Sequence, residues 1–420
     1  MENKTTYEEK PLGYWEKDSY MQAVVEEFSP SILEHIIEKI EKVDGVKVTA
    51  TREISEEAPG GIRFIYQEEE YELYYYPSNF TFYEMYARGP YYPTKSEQEK
   101  LLNATTSITF CMGFNSNPKK SFHLQLKIIY SIVPNLISII DESAEKLLPR
   151  NWVKITTSSN ATPPADNLYT IQAISAENGE VWLHTHGLAR CGVPEIDILK
   201  TNKENYNVHY NLLSAYASYL LDNPKFEPSY APIHLGFFTN DDPIIATSVS
   251  WTIALHEYSD LSVGNIDDRE HEHNSKRNVI FVYTSKDNID NHSLTRVSDI
   301  NSKWSQNPLF FISKEETNIR TIIAKERFNY LKTLAKNETN EVLIKIALPI
   351  TNSEDREHIY FKLISFENEK FKAELIQNPY ADVKMQKGDI GYFTIDDVSD
   401  WLVYTEQGTI YPSHVYLLDE

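Results

Sequence analysis

LYTIQAISAENGEVWLHTHGLARCGVPEIDIL, residues 168 to 199, sets two apolar alternating runs, LYTIQAIS and VWLHTHG, on either side of Glu177-Asn178-Gly179. Asn-Gly between such runs is a strong hairpin signal, so the stretch predicts two antiparallel strands. Gly187, Arg190, Cys191 and Gly192 then lead into a further apolar run that carries two carboxylates, Glu195 and Asp197. Extended outward, this pattern gives an α+β fold of mostly antiparallel sheets with packed helices.

His184 and His186 stand at i and i+2 of the second strand, so both imidazoles leave one face. A strand offers two nitrogens to a zinc ion in this way, and Cys191 across the Gly187 turn and Glu195 on the next strand are the nearest further ligands. That set makes zinc the one metal the sequence offers. A different chemistry pairs a Cys191 thiolate with one of the histidines, with Arg190 as its positive neighbour. In the third reading, Leu183 and Thr185 face the core and the histidines bond backbone groups at the bend. Standard zinc spacings are absent, and buried histidines more often satisfy backbone than metal, so the sequence favours the third reading and predicts no cofactor.

Sixty-two acidic against forty basic residues give a formal charge of −22, which repels phosphate backbones and argues against nucleic acid as a partner. Such a surface keeps a protein soluble, or it meets a basic protein partner. No apolar run approaches the roughly 20 residues needed to cross a bilayer. The opening MENKTTYEEKPLGYWEKDSY is polar where a secretory signal is apolar, so the expected location is the cytoplasm. Cys111 and Cys191 then read as reduced thiols, and Asn103-Ala104-Thr105 as a chance glycosylation match.

Along the chain, MQAVVEEF predicts a strand, and an apolar period of 3.6 from Ile32 to Val43 predicts a helix stopped by Asp44-Gly45. VKVTATR, GIRFIYQ and YELYYYP read as strands. The tyrosine-rich ELYYYPSNFTFYEMYARGPYYP (72–93) reads as alternating core and rim. SITFCMGF, the helix SFHLQLKIIYSIV and the buried strand LISIID follow, then a short helix around Ser143–Leu148. A helix covers Tyr206–Leu221, and strands follow at APIHLGFF and IIATSVSWTIAL. From Tyr258 to Lys303 the chain is polar apart from NVIFVYT and reads as an exposed edge. Ser313-Lys314-Glu315-Glu316 fits a capping box that opens a helix to about Lys336. Three segments result: an N-terminal α+β subdomain (1–115), an α+β domain carrying HTHGLARCG (116–304), and a small C-terminal helix and curled β-sheet domain (305–420).

Arg269-Glu270-His271-Glu272-His273 is rich in ligand atoms but lies in the most polar stretch and reads as a solvated loop, as does His256-Glu257. Phosphate-binding, dinucleotide, serine-hydrolase and H-E-x-x-H patterns are absent from the sequence.

The C-terminal segment carries Glu357-His358-Ile359-Tyr360, Asn378-Pro379, Lys387-Gly388-Asp389 and Asp397-Val398-Ser399-Asp400-Trp401. It resembles the bacterial domain-of-unknown-function family 2314. That family continues into a glycine-rich strand, where this chain reads EQGTIYPSHVYLL. SFHLQLKIIYSIVPNLISIIDESAEKLLP and VWLHTHGLARCGVPEIDIL are similar to domain-of-unknown-function family 4026, which is often joined to the first. The resemblance implies architecture and no activity. Glu357, His358, Asp389, Asp400 and Trp401 form a second candidate ligand site, beside the reading that they hold turns and fill a core. The expected function is a non-enzymatic binding or regulatory protein, toxin-neutralising among the options. The alternative is a metal- or cysteine-dependent enzyme using His184, His186, Cys191 and Glu195.

Overall fold

A computed structural model describes residues 18–55, 58–223, 229–239, 241–258, 260–269 and 277–418. The chain divides into two compact units. One comprises the described residues up to Val153 together with Ala165–Ser313, and the other combines Lys154–Pro164 with the chain from Lys314 onward.

Seven strands build the first sheet: β1 (Ser19–Val25), β2 (Val46–Arg52), β3 (Gly60–Tyr66), β4 (Glu69–Asn79), β5 (Thr106–Met112), β6 (Ser138–Asp141) and β7 (Lys146–Pro149). Their order is 2-3-4-5-1-6-7, antiparallel throughout. Alternation along β4 buries Leu73 and Tyr75 and leaves Tyr76 at the surface, the core-and-rim pattern its tyrosines predict. Helix α1 is only Ile36–Ile40, because His35 takes a left-handed φ of 54° and breaks the helix expected from Ile32 to Val43. Helix α2 is Lys95–Asn103, opened by a Thr94–Glu97 capping box. Helix α3 (Pro118–Ile132) is buried on nearly every side, including Phe122, Gln125, Leu126 and Ile129.

The helix expected at Ser143–Leu148 is instead a single 3-10 turn, Glu142–Ala144, followed by β7. Its residues favour helix, but antiparallel pairing with β6 wins, and Glu145 takes φ 50° to make the reversal. Helix α4 (Arg150–Ser158) follows.

The second sheet contains β8 (Thr170–Ser175), β9 (Val181–His186), β10 (Glu195–Thr201), β11 (Ile233–Thr239), β12 (Asp242–Ser250), β13 (Arg277–Tyr283), β14 (Thr295–Arg296) and β15 (Leu309–Phe310). The order is 15-11-12-13-10-9-8, with β14 on β13. Only the β10–β13 pair is parallel among these. Helix α5 is Tyr206–Asp222. NVIFVYT, expected near an exposed edge, is the wholly buried inner strand β13 between β12 and β10. The strand expected to run on to Leu255 turns helical at Trp251.

In the second unit the sheet runs β19 (Ile390–Phe393), β18 (Lys370–Leu375), β17 (Arg356–Glu367), β16 (Glu341–Pro349), β20 (Val398–Thr405), β21 (Gly408–Ile410). It curls around helices Lys314–Glu326 and Phe328–Leu334. Arg327 separates these two helices with φ −96°, ψ 9° and donates to the Pro412 carbonyl at 2.8 Å. The core joins Ala324, Phe328 and Leu331 to Ile344, Phe361 and Trp401. Residues 154–164 belong here: Ser159 Oγ donates to Glu326 Oε2 (2.6 Å), and Asn160 donates to Oε1 through its backbone N and its Nδ2, each at 2.9 Å.

Candidate functional site

The Asn178-Gly179 turn forms as its sequence requires, with Gly179 at φ 84° and Ala176 N donating to the Glu180 carbonyl at 2.8 Å. At the far end of β9 the chain must bend inside the protein. Gly187 has φ 110°, and a Cβ there would lie 2.6 Å from the Leu168 carbonyl oxygen and 2.9 Å from Ala144 Cβ, so only glycine fits.

A bend buried in this way leaves backbone donors without water, and Glu195 answers them. Its Oε1 accepts from Gly187 N (2.8 Å) and Ala189 N (3.0 Å), and its Oε2 accepts from Thr185 Oγ1 (2.7 Å). Thr185 Oγ1 in turn accepts from Ile196 N at 2.9 Å. A carboxylate with three donors is held by the bend and is not aimed at an ion.

Arg190 is fully buried and grips the fully buried Asp141 with both nitrogens, at 2.6 and 2.8 Å. It also donates to Ser19 Oγ (3.0 Å) and the Leu168 carbonyl (2.7 Å), and its guanidinium lies 5.0 Å from the Phe122 ring centroid. One side chain thereby ties the first sheet to the second. The adjoining turn repeats the pattern. Lys146 donates to the carbonyls of Asn167 (2.6 Å) and Tyr169 (3.1 Å), and burial pulls its amine down to about 8. Glu145 accepts from Gln172 Nε2 at 2.6 Å and lies 3.3 Å from His186 Nδ1.

Cys191 donates weakly to the Gly187 carbonyl at 3.6 Å, and burial pushes its thiol up to about 12. A thiol so placed is the opposite of an activated nucleophile. His184 and His186 do share a face, their ring centroids 5.0 Å apart, with Trp182 4.3 Å from His184. Among the described residues, no three His, Cys, Asp or Glu side chains are grouped as a metal site requires.

Opposite His184 on β10 sits Asp197, fully buried, receiving Arg269 Nη1 at 2.9 Å and Arg277 Nε at 3.1 Å. Arg269 lies 5.1 Å from the ring centroids of both Trp182 and Trp251. Of IDDREHEHNSKR, expected at an exposed edge, Ile266 is exposed as expected, whereas Arg269 and Arg277 are buried, where Asp197 neutralises them. Glu270-His271-Glu272-His273 lies outside the described residues. His256-Glu257 closes a short 3-10 turn.

The second candidate set divides. Glu357 accepts from Tyr380 N (2.8 Å) and Ala381 N (2.9 Å), Asp389 accepts from Gln386 N (2.9 Å), and Trp401 fills the core with its Nε1 on the Ala324 carbonyl (3.0 Å). His358 and Asp400 are instead half-buried near Lys345, which pairs in register with both Tyr360 and Asp400. Burial raises the Asp400 carboxyl and lowers His358, the latter with help from Lys345 and Arg356. Lys345 Nζ lies 5.2 Å from the Tyr360 ring centroid.

Sequence reasoning missed Asp141, Glu145, Lys146, Arg269 and Arg277 as site residues. DESAEK reads as the end of a strand and the start of a short helix, which gives its charges no partners. Asp197 gave the better signal, as a carboxylate amid the apolar run EIDIL.

Fold and site together define a multidomain α+β protein whose internal charges serve as pins between sheets. Family models match as follows: protein of unknown function (DUF4026) N-terminal over residues 19–164, its C-terminal counterpart over 171–281, and uncharacterized protein conserved in bacteria (DUF2314) over 314–416. The chain belongs to the DUF4026 family and carries a DUF2314 domain at its C-terminal end. No curated protein and no solved structure matches it. Among the described residues no helix is long and apolar enough to cross a membrane.

Proposed function

We propose that this chain is a non-enzymatic cytoplasmic binding or regulatory protein that meets a basic protein partner through its acidic surface, toxin neutralisation being one such role. The observation that carries this reading is where the acidic excess lies. Between Glu26 and Glu72 the sequence holds thirteen acidic and five basic residues, a dense share of the overall −22. A concentrated field of one sign steers an oppositely charged partner and speeds its encounter. The roles of Glu195, Arg190 and Cys191 in the bend agree with this reading, since each is already engaged within the fold.

The test is to isolate partners from the native cell, purify the captured protein, and measure its association with the chain by calorimetry at low and high salt. The expected result is a basic partner whose affinity falls by about tenfold or more as salt rises. A neutral or acidic partner, or affinity indifferent to salt, would remove the proposal.

A further inference from the structure

An open groove of about 480 Å3 lies within the acidic stretch, between α1 and the chain after β2. Leu33, Ile36, Ile37 and Ile54 give it aliphatic walls, and Tyr75 gives it an aromatic one. Ile37 is 41% and Ile54 39% exposed, whereas Tyr75 is 7% exposed. Tyr75 lies flat on the backbone at Gly60, where any Cβ would come within 2.3 Å of the ring. The sequence therefore keeps a glycine on β3 at the place where the ring rests.

The polar part of the lining is one-sided. Glu38 and Glu53 line the groove together with His35, and neither lysine nor arginine does. The nearby cations are turned to other tasks: Lys39 donates to the Ile32 carbonyl at 2.8 Å and Arg52 to the Pro59 carbonyl at 3.1 Å. His35 Nδ1 lies 3.4 Å from Glu38 Oε1, so the rim pairs these two carboxylates with an imidazole alone. Apolar walls with carboxylates at the rim complement an occupant of matching two-sided chemistry. We propose that this groove is the docking site for a basic amphipathic segment of a partner protein, which seats aliphatic side chains against Ile37, Ile54 and Tyr75 and sets lysine or arginine beside Glu38 and Glu53. The proposal rests on the acidic-surface reading above and gives that surface an anchor point. Charge alone would attract any cation, whereas the groove selects one with apolar residues on its other face.

The probe is a short fluorescein-labelled amphipathic peptide of leucine and lysine, with two controls, one replacing leucine by serine and one replacing lysine by glutamate. Binding to the full chain is followed by fluorescence anisotropy. The leucine-lysine peptide is expected to bind, and Ile37→Ser with Ile54→Ser to weaken it by about tenfold or more. Glu38→Gln with Glu53→Gln is expected to weaken it about fivefold at low salt, with no difference left at high salt. The surface pair Glu354→Gln with Glu369→Gln serves as the charge-matched control and is expected to change little. Ile37 and Ile54 are partly exposed, and circular dichroism of each variant checks that the fold is kept.

If the leucine-lysine and serine-lysine peptides bind alike and the isoleucine variants change nothing, the groove proposal falls while the acidic-surface reading stands. If neither basic peptide binds at low salt, both fall. A chain that sediments as a dimer and returns to monomer in the isoleucine variants would give the groove to a second copy and overturn the proposal.

Discussion

Replacing Arg190 with methionine tests what the bend is for. The guanidinium and the Asp141 carboxylate are both fully buried and joined by two hydrogen bonds. Deleting one partner of a buried pair leaves the other charged in a low-dielectric interior, at a cost of about 3–5 kcal/mol. Ser19 Oγ and the Leu168 carbonyl lose a donor as well, which adds about 1 kcal/mol or more if no water reaches them. Against a total stability of roughly 5–15 kcal/mol, Arg190→Met is expected to remove a third or more of what holds this unit together. The chain has two units, so urea unfolding is best read by hydrogen exchange at Ser138–Asp141 and Ala189–Cys191, where the loss should be local and large. The double variant Arg190→Met, Asp141→Leu is expected to regain most of the loss, because apolar replacements of similar volume need no desolvated charge. A single-variant loss below about 1 kcal/mol, or a double variant worse than the single, would show that the pair does not pin the sheets.

Two further outcomes follow from burial. The Cys191 thiol, pushed up to about 12, is expected to resist iodoacetamide in the native protein and react at an ordinary rate in urea; fast native alkylation monitored by mass spectrometry would contradict its placement. Burial lowers His209, which bonds Thr201 Oγ1 through Nδ1, to about 4, so the unfolded chain takes up a proton near its ordinary value of about 6.5 that the folded ring refuses. Stability is expected to fall as pH drops from about 6.5 towards 4, by up to about 3 kcal/mol from this residue, and His209→Asn should flatten that part of the profile; coincident profiles for the two proteins would refute the assignment.

Much of the architecture was legible because its signals are local. Asn178-Gly179 forms its hairpin, the period of Tyr206–Leu221 gives α5, and the C-terminal pieces fold as a helix-backed curled sheet. Where the sequence misled, a long-range partner overrode a local preference. Glu145 leaves a helix-favouring run to let β7 pair with β6, and Arg327 divides one expected helix into two while bonding Pro412. The candidate site was legible in its residues and not in its connections. His184, His186, Arg190, Cys191 and Glu195 do gather near one bend, but the partner of Arg190 lies 49 residues away and that of Arg277 lies 80 away. No periodicity encodes such a pairing. The first becomes visible only when two sheets meet, and the second only when β10 and β13 lie side by side.

The eleven residues from Lys154 to Pro164 give the C-terminal unit an uncommon inheritance problem. Glu326 takes three hydrogen bonds from Ser159 and Asn160, and Ala161 packs with Ile319 and Ile323. A graft of residues 314–418 onto another host would arrive with that carboxylate stripped of its donors and that apolar contact open to solvent. Exchange of this module by recombination thus needs three coordinated splice points, one of them inside α4, and a single crossover before Lys314 delivers an incomplete part.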